Sequence, residues 1–349
     1  MQKKVLLKLG ALLLLAVIIL ASLAYFNRSP NAKPNGFARK WLTDWIEGQD
    51  QKTIPAPLVR ICGVSGDRIY TAGQNPQYLM SFDRKLEQKG VLTLNIPLTQ
   101  KLQAANGLIV DSPEVYLFAN NLSTLYKAGI DQPGIDSIKL GKGIFTRSIR
   151  LEKDLAVIRG FDDDPMRQVF KTVDLRNGLI SHRNPLVDDA DGGFATDGLL
   201  NYDSTYHRIL YLQYYQNVFF CLDTNLNLLY QGHTIDTTRY NPVRIKKLKN
   251  DYEQKLVPVT PRFPIIRNSF ASNGLLYVIS ELKADNESPE NFRHNSVVDI
   301  YRVPDGRYTG SFYIPNIGED NIQSLFIDSG ILIALYKKHI ATFRLRMSG

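Results

Sequence analysis

Short apolar segments alternate with polar turns along most of the chain, from residue 58 onward. The segments have the length of strands, are rich in β-branched and aromatic residues, and are separated by clusters of Gly, Asn, Asp and Pro. No long part of this region has the periodicity of an amphipathic helix. The pattern predicts an all-β domain over residues 58–349.

One unit of apolar strands joined by a hairpin recurs along this region. Its first four hairpins are marked by residues that lie 46, 45 and 49 positions apart, namely Asp83, Gly129, Asp174 and Asp223. Repeats of roughly 40–50 residues with four strands each are typical of β-propeller blades. We therefore predict a β-propeller with six blades. The last unit shows three strands, so a strand from the start of the domain would complete it and close the ring.

The spacing changes after blade four. The next comparable hairpin, at Asp305, follows Asp223 by 82 residues, which is nearly two periods. One explanation is a single blade plus a charged insertion near residues 236–262, a segment with several lysines. The alternative is a seventh, degenerate blade.

The N-terminal segment predicts membrane attachment. A short basic N-terminus over residues 1–8 precedes an apolar stretch over residues 9–26. Eighteen helical residues span about 27 Å, close to the hydrocarbon thickness of a bilayer. The pattern favours a transmembrane signal anchor, although cleavage as a signal peptide after Ser22-Leu23-Ala24 is the alternative. We expect the inner (cytoplasmic) membrane, with the globular domain on the periplasmic or extracytoplasmic side.

Residues 27–57 link the apolar stretch to the propeller. They begin with a polar spacer rich in turn residues. Phe37, Trp41 and Trp45 then recur at every fourth position, which predicts a short amphipathic helix. Its apolar stripe would lie at the bilayer interface or, as we favour, pack on the side or rim of the propeller.

The distribution of charge argues against nucleic acid as a partner. The chain has a net charge of +8, but residues 1–36 contain five basic residues and no acidic one. The remainder has 37 basic against 34 acidic residues. A nucleic-acid-binding protein would concentrate its positive charge on the folded domain.

Candidate chemistry is sparse. The acidic clusters are residues 162–164 and 188–193, and in the second Asp189 and Asp191 are weak candidates for metal ligands because Ca²⁺ prefers several oxygen ligands. The order of a calcium loop is missing, so solvated loops are favoured. The five histidines are scattered without metal-binding spacing. No nucleophile motif or cofactor fingerprint occurs, so we assign no catalytic residue, metal or cofactor.

Two further residue sets have a structural and a functional interpretation. The tyrosine-dense stretch over residues 202–215 is either a recognition surface or, as we favour, a strand with alternating burial. Cys62 and Cys221 fall in apolar strands of blades one and four. We expect two buried thiols, too far apart for a disulfide.

Three stretches resemble the TolB-like, six-bladed group of bacterial propellers, especially membrane-anchored members of uncharacterised function. They are Asn-Gly-Phe-Ala-Arg at residues 35–39, and the segments 269–278 and 310–315. The resemblance covers roughly residues 35–349. Because its motifs are structural, it implies the fold and does not imply an activity.

These observations lead to two functional hypotheses. The first is a membrane-tethered binding or scaffold propeller in the cell envelope, held through residues 9–26 and working with an envelope protein of unknown identity. The alternative is a propeller enzyme, a hydrolase, lyase or oxidoreductase, with its site at the central channel. Two or more carboxylates or histidines within about 4–6 Å of each other at the channel mouth would favour the enzyme.

Overall fold

The computed structural model describes residues 2–27, 34–96, 102, 107–131, 134–141, 143–152, 154–161, 164, 166–186, 191–239, 243–249, 254–259 and 261–346. Helix α1 (Gln2–Asn27) precedes strand β1 (Ile46–Thr53). Blade one contains β2 (Arg60–Ser65), β3 (Arg68–Ala72), β4 (Tyr78–Phe82) and β5 (Gln88–Thr93). Blade two contains β6 (Gly107–Asp111), β7 (Glu114–Ala119), β8 (Thr124–Gly129) and β9 (Ile135–Lys139). Blade three contains β10 (Phe145–Glu152), β11 (Leu155–Phe161), β12 (Gln168–Asp174) and β13 (Ile180–Asn184).

Blade four contains β14 (Gly198–Asp203), β15 (Arg208–Gln213), β16 (Val218–Leu222) and β17 (Leu228–His233). A separate hairpin of β18 (Ile245–Lys249) and β19 (Gln254–Pro258) follows. Blade five contains β20 (Ile266–Ser272), β21 (Leu275–Ser280), β22 (Asn295–Arg302) and β23 (Tyr308–Pro315), with α2 (Pro289–His294) before β22. Blade six contains β24 (Ser324–Asp328), β25 (Ile331–Leu335) and β26 (His339–Leu345), and β1 is its fourth strand.

The first strands of the six sheets form a closed ring. Each contacts the next in chain order, and β24 contacts β2, which returns the ring to its start. All six sheets are antiparallel and four-stranded. The predicted six-bladed β-propeller is therefore confirmed. In the described part of the chain, the segment after blade four contributes a two-stranded hairpin in place of a seventh blade.

The core consists of one apolar cluster at each junction between neighbouring blades. Strand β15 shows how one strand serves two clusters. Ile209 and Tyr211 pack toward blade three, whereas Leu210 and Leu212 pack toward blade five. Successive side chains of a strand point to opposite faces, so a blade covered on both sides needs a continuous apolar run. This requirement explains the recurring apolar segments of the sequence.

The recurring aspartates of the sequence are acceptors in the turns between third and fourth strands. One carboxylate oxygen of Asp83 accepts from the backbone N–H groups of Lys85 and Glu87, both at 2.9 Å. Asp223 makes the same pair of bonds in blade four, to Asn225 and Asn227. A short polar side chain that bonds the backbone two residues on is a common turn device.

The expected short helix around Phe37 is wrong, because residues 34–45 contain no helix. The segment is extended along blade five, where Trp41 pairs with Ser311 and stacks on Tyr313 with ring centroids 4.2 Å apart. The segment turns at residues 43–44 before it reaches β1. Trp41 contacts Tyr313 and Trp45 contacts Phe312, and these successive residues of β23 point to opposite faces of blade five. The expectation that these side chains pack on the propeller is correct, since Phe37 is buried and Trp45 packs on the core.

Polar side chains of blade five hold the backbone of this N-terminal strap, residues 34–45. The carboxylate of Asp285 accepts from the N–H groups of Asn35 at 2.7 Å and Gly36 at 2.9 Å. The amide of Asn286 accepts from the N–H of Arg39 and donates to its carbonyl. These bonds satisfy backbone groups that a helix would have paired internally.

Arg39 is the charged anchor of the strap. Its guanidinium is fully buried and binds Asp299 at 2.8 Å through Nε and Glu287 at 2.9 Å through Nη1. Burial by itself lowers the pKa of Arg39, but the two carboxylates outweigh it and the pKa is raised. The arginine is therefore a buried cation held between two anions.

Strand β1 completes blade six by pairing with β26, as predicted for a strand from the start of the domain. The register runs from Ile46 opposite Leu345 to Thr53 opposite His339. The first and last strands of the propeller are thus neighbours in one sheet, which closes the ring and removes an open edge.

The structure also bears on the two cysteines and on the apolar N-terminal stretch. Cys62 and Cys221 are free and buried, as expected. A helix is present at the apolar N-terminal stretch, but in the described part of the chain no helix is long and apolar enough to cross a membrane. The transmembrane span expected over residues 9–26 is therefore not supported.

Arg39→Ala tests the anchor. It leaves the buried carboxylates of Glu287 and Asp299 without their cation, and we expect the free energy of unfolding to fall by about 3–5 kcal/mol. The measurement is equilibrium unfolding in denaturant. The control is Arg84→Ala, which removes a half-exposed ion pair with Asp328 and should cost less than about 1 kcal/mol. Equal losses in the two variants would contradict the anchor.

Candidate functional site

The loops of the propeller divide between the two ends of the ring. Each blade is antiparallel, so the loops that lead into first strands and those between second and third strands lie at the same end. Around blade four this end carries residues 191–197, residues 214–217 and the insertion that contains β18 and β19. We call this end the insertion face.

Arg147 connects blade three to blade four at the insertion face. Its Nη2 lies 2.8 Å from a carboxylate oxygen of Asp197, Nε donates to the carbonyl of Gly198 at 2.6 Å, and Nη1 donates to that of Thr146. Burial lowers the pKa of Arg147, but Asp197 and Tyr214 outweigh it and the pKa is raised. The guanidinium is a fixed positive charge.

Arg159 is a second guanidinium beside the first and is buried in blade three. It donates to the side-chain oxygen of Gln168 at 2.7 Å and to the hydroxyl of Thr196 at 2.8 Å. Its carboxylate neighbour is Asp197, at 3.7 Å, which Arg147 also contacts. One carboxylate therefore lies between two arginines, and this part of the face is cationic.

The loop before β14 contains one of the two acidic residues considered as metal ligands. The carboxylate of Asp191 is buried and accepts from the N–H groups of Gly193 at 2.7 Å and Ala195 at 2.6 Å. Both of its oxygens thus bind the protein's own backbone. Asp189 lies outside the described residues. Among the residues that the structure describes, no group of three His, Cys, Asp or Glu side chains could hold a metal ion.

Arginines also occur near the insertion-face ends of two other first strands. Arg60 begins β2, and burial lowers its pKa. Arg267 follows the first residue of β20 and pairs with Glu281, with Nη2 3.0 Å from the carboxylate. Because the six first strands surround the axis, these guanidinium groups and Arg147 are distributed around one mouth of the ring.

Tyrosines accompany the arginines in the loop between β15 and β16. The Arg147 guanidinium lies 5.6 Å from the ring centroid of Tyr214, and that of Arg262 lies 4.2 Å from the ring centroid of Tyr215. Arginine planes commonly stack on aromatic faces. Tyr211 is fully buried in blade four. The expected alternating burial is wrong, because β15 is buried at five successive positions. The loop residues Tyr214 and Tyr215 are half-buried on the insertion face, and a recognition surface there stays a prediction.

A pocket of about 310 Å³ lies between blade four and the insertion. Its blade-side wall includes Phe194 and Tyr215. The insertion supplies apolar side chains and one cation, Val243, Pro258, Val259, Pro261 and Arg262. A mostly apolar pocket with a single convergent charged group is the usual form of a small-molecule site.

The insertion concentrates the positive charge of the propeller. Residues 236–262 contain seven basic and three acidic residues, whereas the rest of residues 34–349 contains 30 basic and 31 acidic residues. Arg244 and Lys246 of this segment are exposed. The folded part of the chain is thus nearly neutral except at the insertion, which lies on the same face as Arg147.

The five histidines are dispersed over blades three to six, and His233 reaches the insertion face, where a ring nitrogen lies 3.2 Å from the backbone carbonyl of Asn217. They occur in β13, the turn after β14, β17, α2 and β26, at His182, His207, His233, His294 and His339. His207 lies 3.1 Å from Glu152, and both side chains are exposed at the end opposite the insertion face. Among the described histidines, the one that lies within 4 Å of a carboxylate is therefore at the end opposite the insertion face.

Sequence reasoning missed the arginines of the site. Arg159 interrupts the apolar run of β11, and a charged residue inside a buried strand is a signal that it has a specific partner. Its pairing with Asp197 and Thr196 joins residues nearly 40 positions apart, which the sequence alone does not reveal.

Comparisons with known proteins identify the fold. No known protein family matches the sequence, and no protein of curated function is similar to it. A member of the DUF4221 family from Bacteroides vulgatus has a similar structure, with a TM-score of 0.57 and 14% identity over 91% of this chain and 100% of that one. A catalytically inactive virginiamycin B lyase from Staphylococcus aureus with quinupristin has a TM-score of 0.51 and 10% identity, over 85% and 99% of the two chains.

A streptogramin B lyase structure is similar to the same degree, with a TM-score of 0.50 and 11% identity over 87% of this chain and 100% of that one. At such low identities the likeness shows the fold alone. The class defined so far is a six-bladed β-propeller with a cationic face, and the TolB-like resemblance is not shown beyond this fold.

Gly193→Ala tests the packing beneath Arg159. Gly193 has a positive φ of 80°, and a Cβ there would lie 2.8 Å from Nη2 of Arg159 and 2.7 Å from Nε2 of Gln168. We expect a loss of about 1–2 kcal/mol from the left-handed backbone and about 1–3 kcal/mol more from overpacking.

Gly318→Ala is the matched control for this variant. Gly318 also has a positive φ, of 62°, but no heavy atom lies within 4 Å of its Cβ position. It should therefore show the backbone cost alone in equilibrium unfolding. If both variants lost the same stability, the close packing of Gly193 on the arginine network would be refuted.

Proposed function

We propose that this protein is a binding or scaffold propeller of the cell envelope whose insertion face receives an anionic partner. The observation that carries the proposal is the coincidence of two positive features on one face. The half-buried Arg147 and the buried Arg159 of blade three lie beside an insertion with four more basic than acidic residues. Complementary charge speeds association and selects partners.

Rigid support favours binding over a passive structural role. Arg147 and Arg159 are held by Asp197, Gln168 and Thr196, so their positions are fixed before a partner arrives. Preorganised groups lose little conformational entropy when they bind. Loops on a rigid scaffold are also the usual place for recognition.

The enzyme alternative would use the same face. Two of the structures with this fold are named as lyases, and a lyase reaction here would need acid–base groups near the pocket. The described residues supply guanidinium groups and tyrosines there, and burial raises the pKa of Tyr214 despite Arg147. Phenols with raised pKa values are poor bases at neutral pH. We therefore propose the binding function ahead of the enzyme.

Charge reversal on the insertion tests the proposed face. Arg244→Glu combined with Lys246→Glu places two negative charges on exposed positions. We expect the unchanged protein to capture a partner from detergent extracts, and this capture to weaken as the salt concentration is raised. The double variant should no longer capture that partner.

The matched control places the same change at the other end of the ring. Arg302→Glu with Arg307→Glu alters two exposed arginines, one at the end of β22 and one in the turn that leads to β23. This variant should capture the partner normally. Equal capture by both double variants, or capture independent of salt, would contradict the proposed face.

We also propose that α1 attaches the propeller to the inner membrane, with the propeller on the extracytoplasmic side. The support is the exposure of its apolar side chains along and around the helix, from Leu9 at 62% to Leu20 at 66%. An apolar surface on all sides of a helix is stable only in an apolar environment. A bilayer would supply that environment without any contact to the ring.

Leu14→Arg with Ile18→Arg tests the attachment. Each arginine in the middle of a membrane helix costs about 2.5–3.5 kcal/mol, so we expect the protein to move from the membrane fraction to the soluble fraction. Leu229→Arg, at an exposed leucine of β17, is the control and should leave the protein with the membranes. If the double variant still sedimented with the membranes after a carbonate wash, the attachment through α1 would be refuted.

A further inference from the structure

We infer that the insertion face docks on the surface of the membrane that holds α1, with anionic phospholipid head groups as its partner. The inference rests on the proposed function, because it takes α1 as the attachment and names the anionic partner of the same face. It adds an orientation of the propeller, which neither the attachment nor the cationic face implies alone.

The chain that follows α1 joins the propeller at the insertion face. The N–H of Asn35 donates to the carboxylate of Asp285 at 2.7 Å, and its side-chain amide donates to the carbonyl of Lys283 at 2.7 Å. The hydroxyl of Thr237 donates to the carbonyl of Asn35 at 2.6 Å. Asp285 and Lys283 lie in the loop between β21 and β22, and Thr237 lies at the start of the insertion. The strap is therefore fixed at the base of the insertion.

The length of the connection keeps this point near the end of α1. The helix ends at Asn27, and Asn35 lies eight positions after it. Each residue extends a chain by at most about 3.6 Å, which limits the distance between these two residues to about 29 Å. A six-residue blade strand such as β14 is itself about 20 Å long. If the opposite end of the ring faced the membrane, most of the connection would have to run along the height of the blades. The connection therefore favours the insertion face as the membrane side.

An exposed aromatic side chain follows the insertion on this face. Phe263 is 85% exposed, a larger fraction than that of any large apolar side chain described in α1. Pro261 and Pro264 on either side of it are exposed, and so is Val259. Apolar side chains beside basic ones are typical of a surface that lies in the membrane interface. A lipid interface would bury this apolar surface, which water leaves exposed.

The backbone on both sides of Phe263 is held by the fold. The N–H of Ile265 donates to the carbonyl of Tyr214 at 2.7 Å, and the Ile265 side chain is buried. On the other side, the Arg262 guanidinium lies 4.2 Å from the ring centroid of Tyr215. Both contacts are with the loop between β15 and β16. Phe263 is therefore presented by a supported loop, and an interface would bury it at little cost in conformational entropy.

Exposed cations supply the electrostatic part of the docking. Arg244 and Lys246 are exposed, and the insertion has seven basic against three acidic residues. Each Lys or Arg near an anionic membrane surface strengthens binding by about fivefold, and the effect falls off within a Debye length. At the other end of the ring, the exposed Arg302 and Arg307 both lie near the carboxylate of Asp305. Charge and exposed apolar surface therefore coincide at the insertion face.

Lipid quenching in proteoliposomes tests the orientation. The full chain, with an environment-sensitive dye on Pro264→Cys, is reconstituted into phosphatidylcholine vesicles with and without phosphatidylglycerol. The two native cysteines are buried, so the introduced thiol takes the dye. In the anionic vesicles we expect the dye emission to shift to shorter wavelength and to be quenched by spin-labelled lipid. Both effects should weaken as the salt concentration is raised.

The matched label is Arg307→Cys, an exposed position at the other end of the ring. It should show neither the shift nor the quenching in vesicles of either composition. If thermal unfolding shows that Pro264→Cys is poorly folded, Val259→Cys becomes the deciding label, because Val259 is exposed on the insertion. No quenching of the label on the insertion face, or equal quenching of the two labels, would overturn the inference.

Two further changes separate the apolar and the charged contributions to the quenching at residue 264. Phe263→Ser should reduce the quenching severalfold, because an apolar side chain no longer enters the interface. Leu179→Ser, at an exposed leucine of the opposite end, is its control and should leave the quenching unchanged. Arg244→Glu with Lys246→Glu should abolish the quenching in anionic vesicles. Quenching that neither change reduces in a folded variant would refute the docking.

Flotation of the vesicles and the capture experiment keep this result distinct from that of the proposed function. If the full chain floats with neither kind of vesicle, the attachment through α1 and the docking are both wrong. If it floats without quenching at residue 264, while capture still depends on Arg244 and Lys246, the face receives a protein and the docking alone is wrong. If the label is quenched and capture ignores the charge reversal, the docking stands and the captured partner binds elsewhere.

Discussion

The pairing of β1 with β26 is the constraint on which the rest of the structure depends. The last blade lacks its fourth strand until the first strand of the propeller pairs with the last one, and here β1 and β26 pair within blade six. The N-terminal strap strengthens this closure from the neighbouring blade, since Arg39 lies between the carboxylates of Glu287 and Asp299. This closure should slow folding, because residues almost 300 positions apart must come together and such contacts form slowly.

Closure is also what assembles the insertion face. Arg147 comes from blade three, Asp197 from the connection to blade four, and Arg262 from the insertion before blade five. The apolar clusters at each blade junction fix the angles between these blades, so the charged side chains meet with little freedom. Tyr211 illustrates the link, since its ring packs in the junction of blades three and four while its hydroxyl donates to the carbonyl of Thr196. Core packing and the site are therefore parts of one framework.

The sequence predicted the blades because their physics is local and repeated. The middle of a strand such as β15, residues 209–212, is buried on both faces and is apolar at each position. The aspartates of the turns recur because each bonds its own backbone. The strap was mispredicted because the spacing of its aromatic residues fits a helix, whereas distant side chains bind its backbone in an open conformation. Its conformation is decided by Asp285 and Asn286, about 250 residues away. The arginine site was missed for the same reason, since the contact of Arg147 with Asp197 spans 50 positions and that of Arg159 with Thr196 spans 37.

Hydrogen exchange of the full chain, followed by mass spectrometry, measures the closure directly. Amides that open only with global unfolding exchange at a common slow rate, whereas a loosely attached strand exchanges on its own. Closure by the N-terminal strand predicts that peptides covering residues 46–53 and 339–345 are protected together, to the same extent as residues 208–213 of blade four. Rapid exchange of residues 46–53, with residues 339–345 left as a partly exposed edge, would contradict the account.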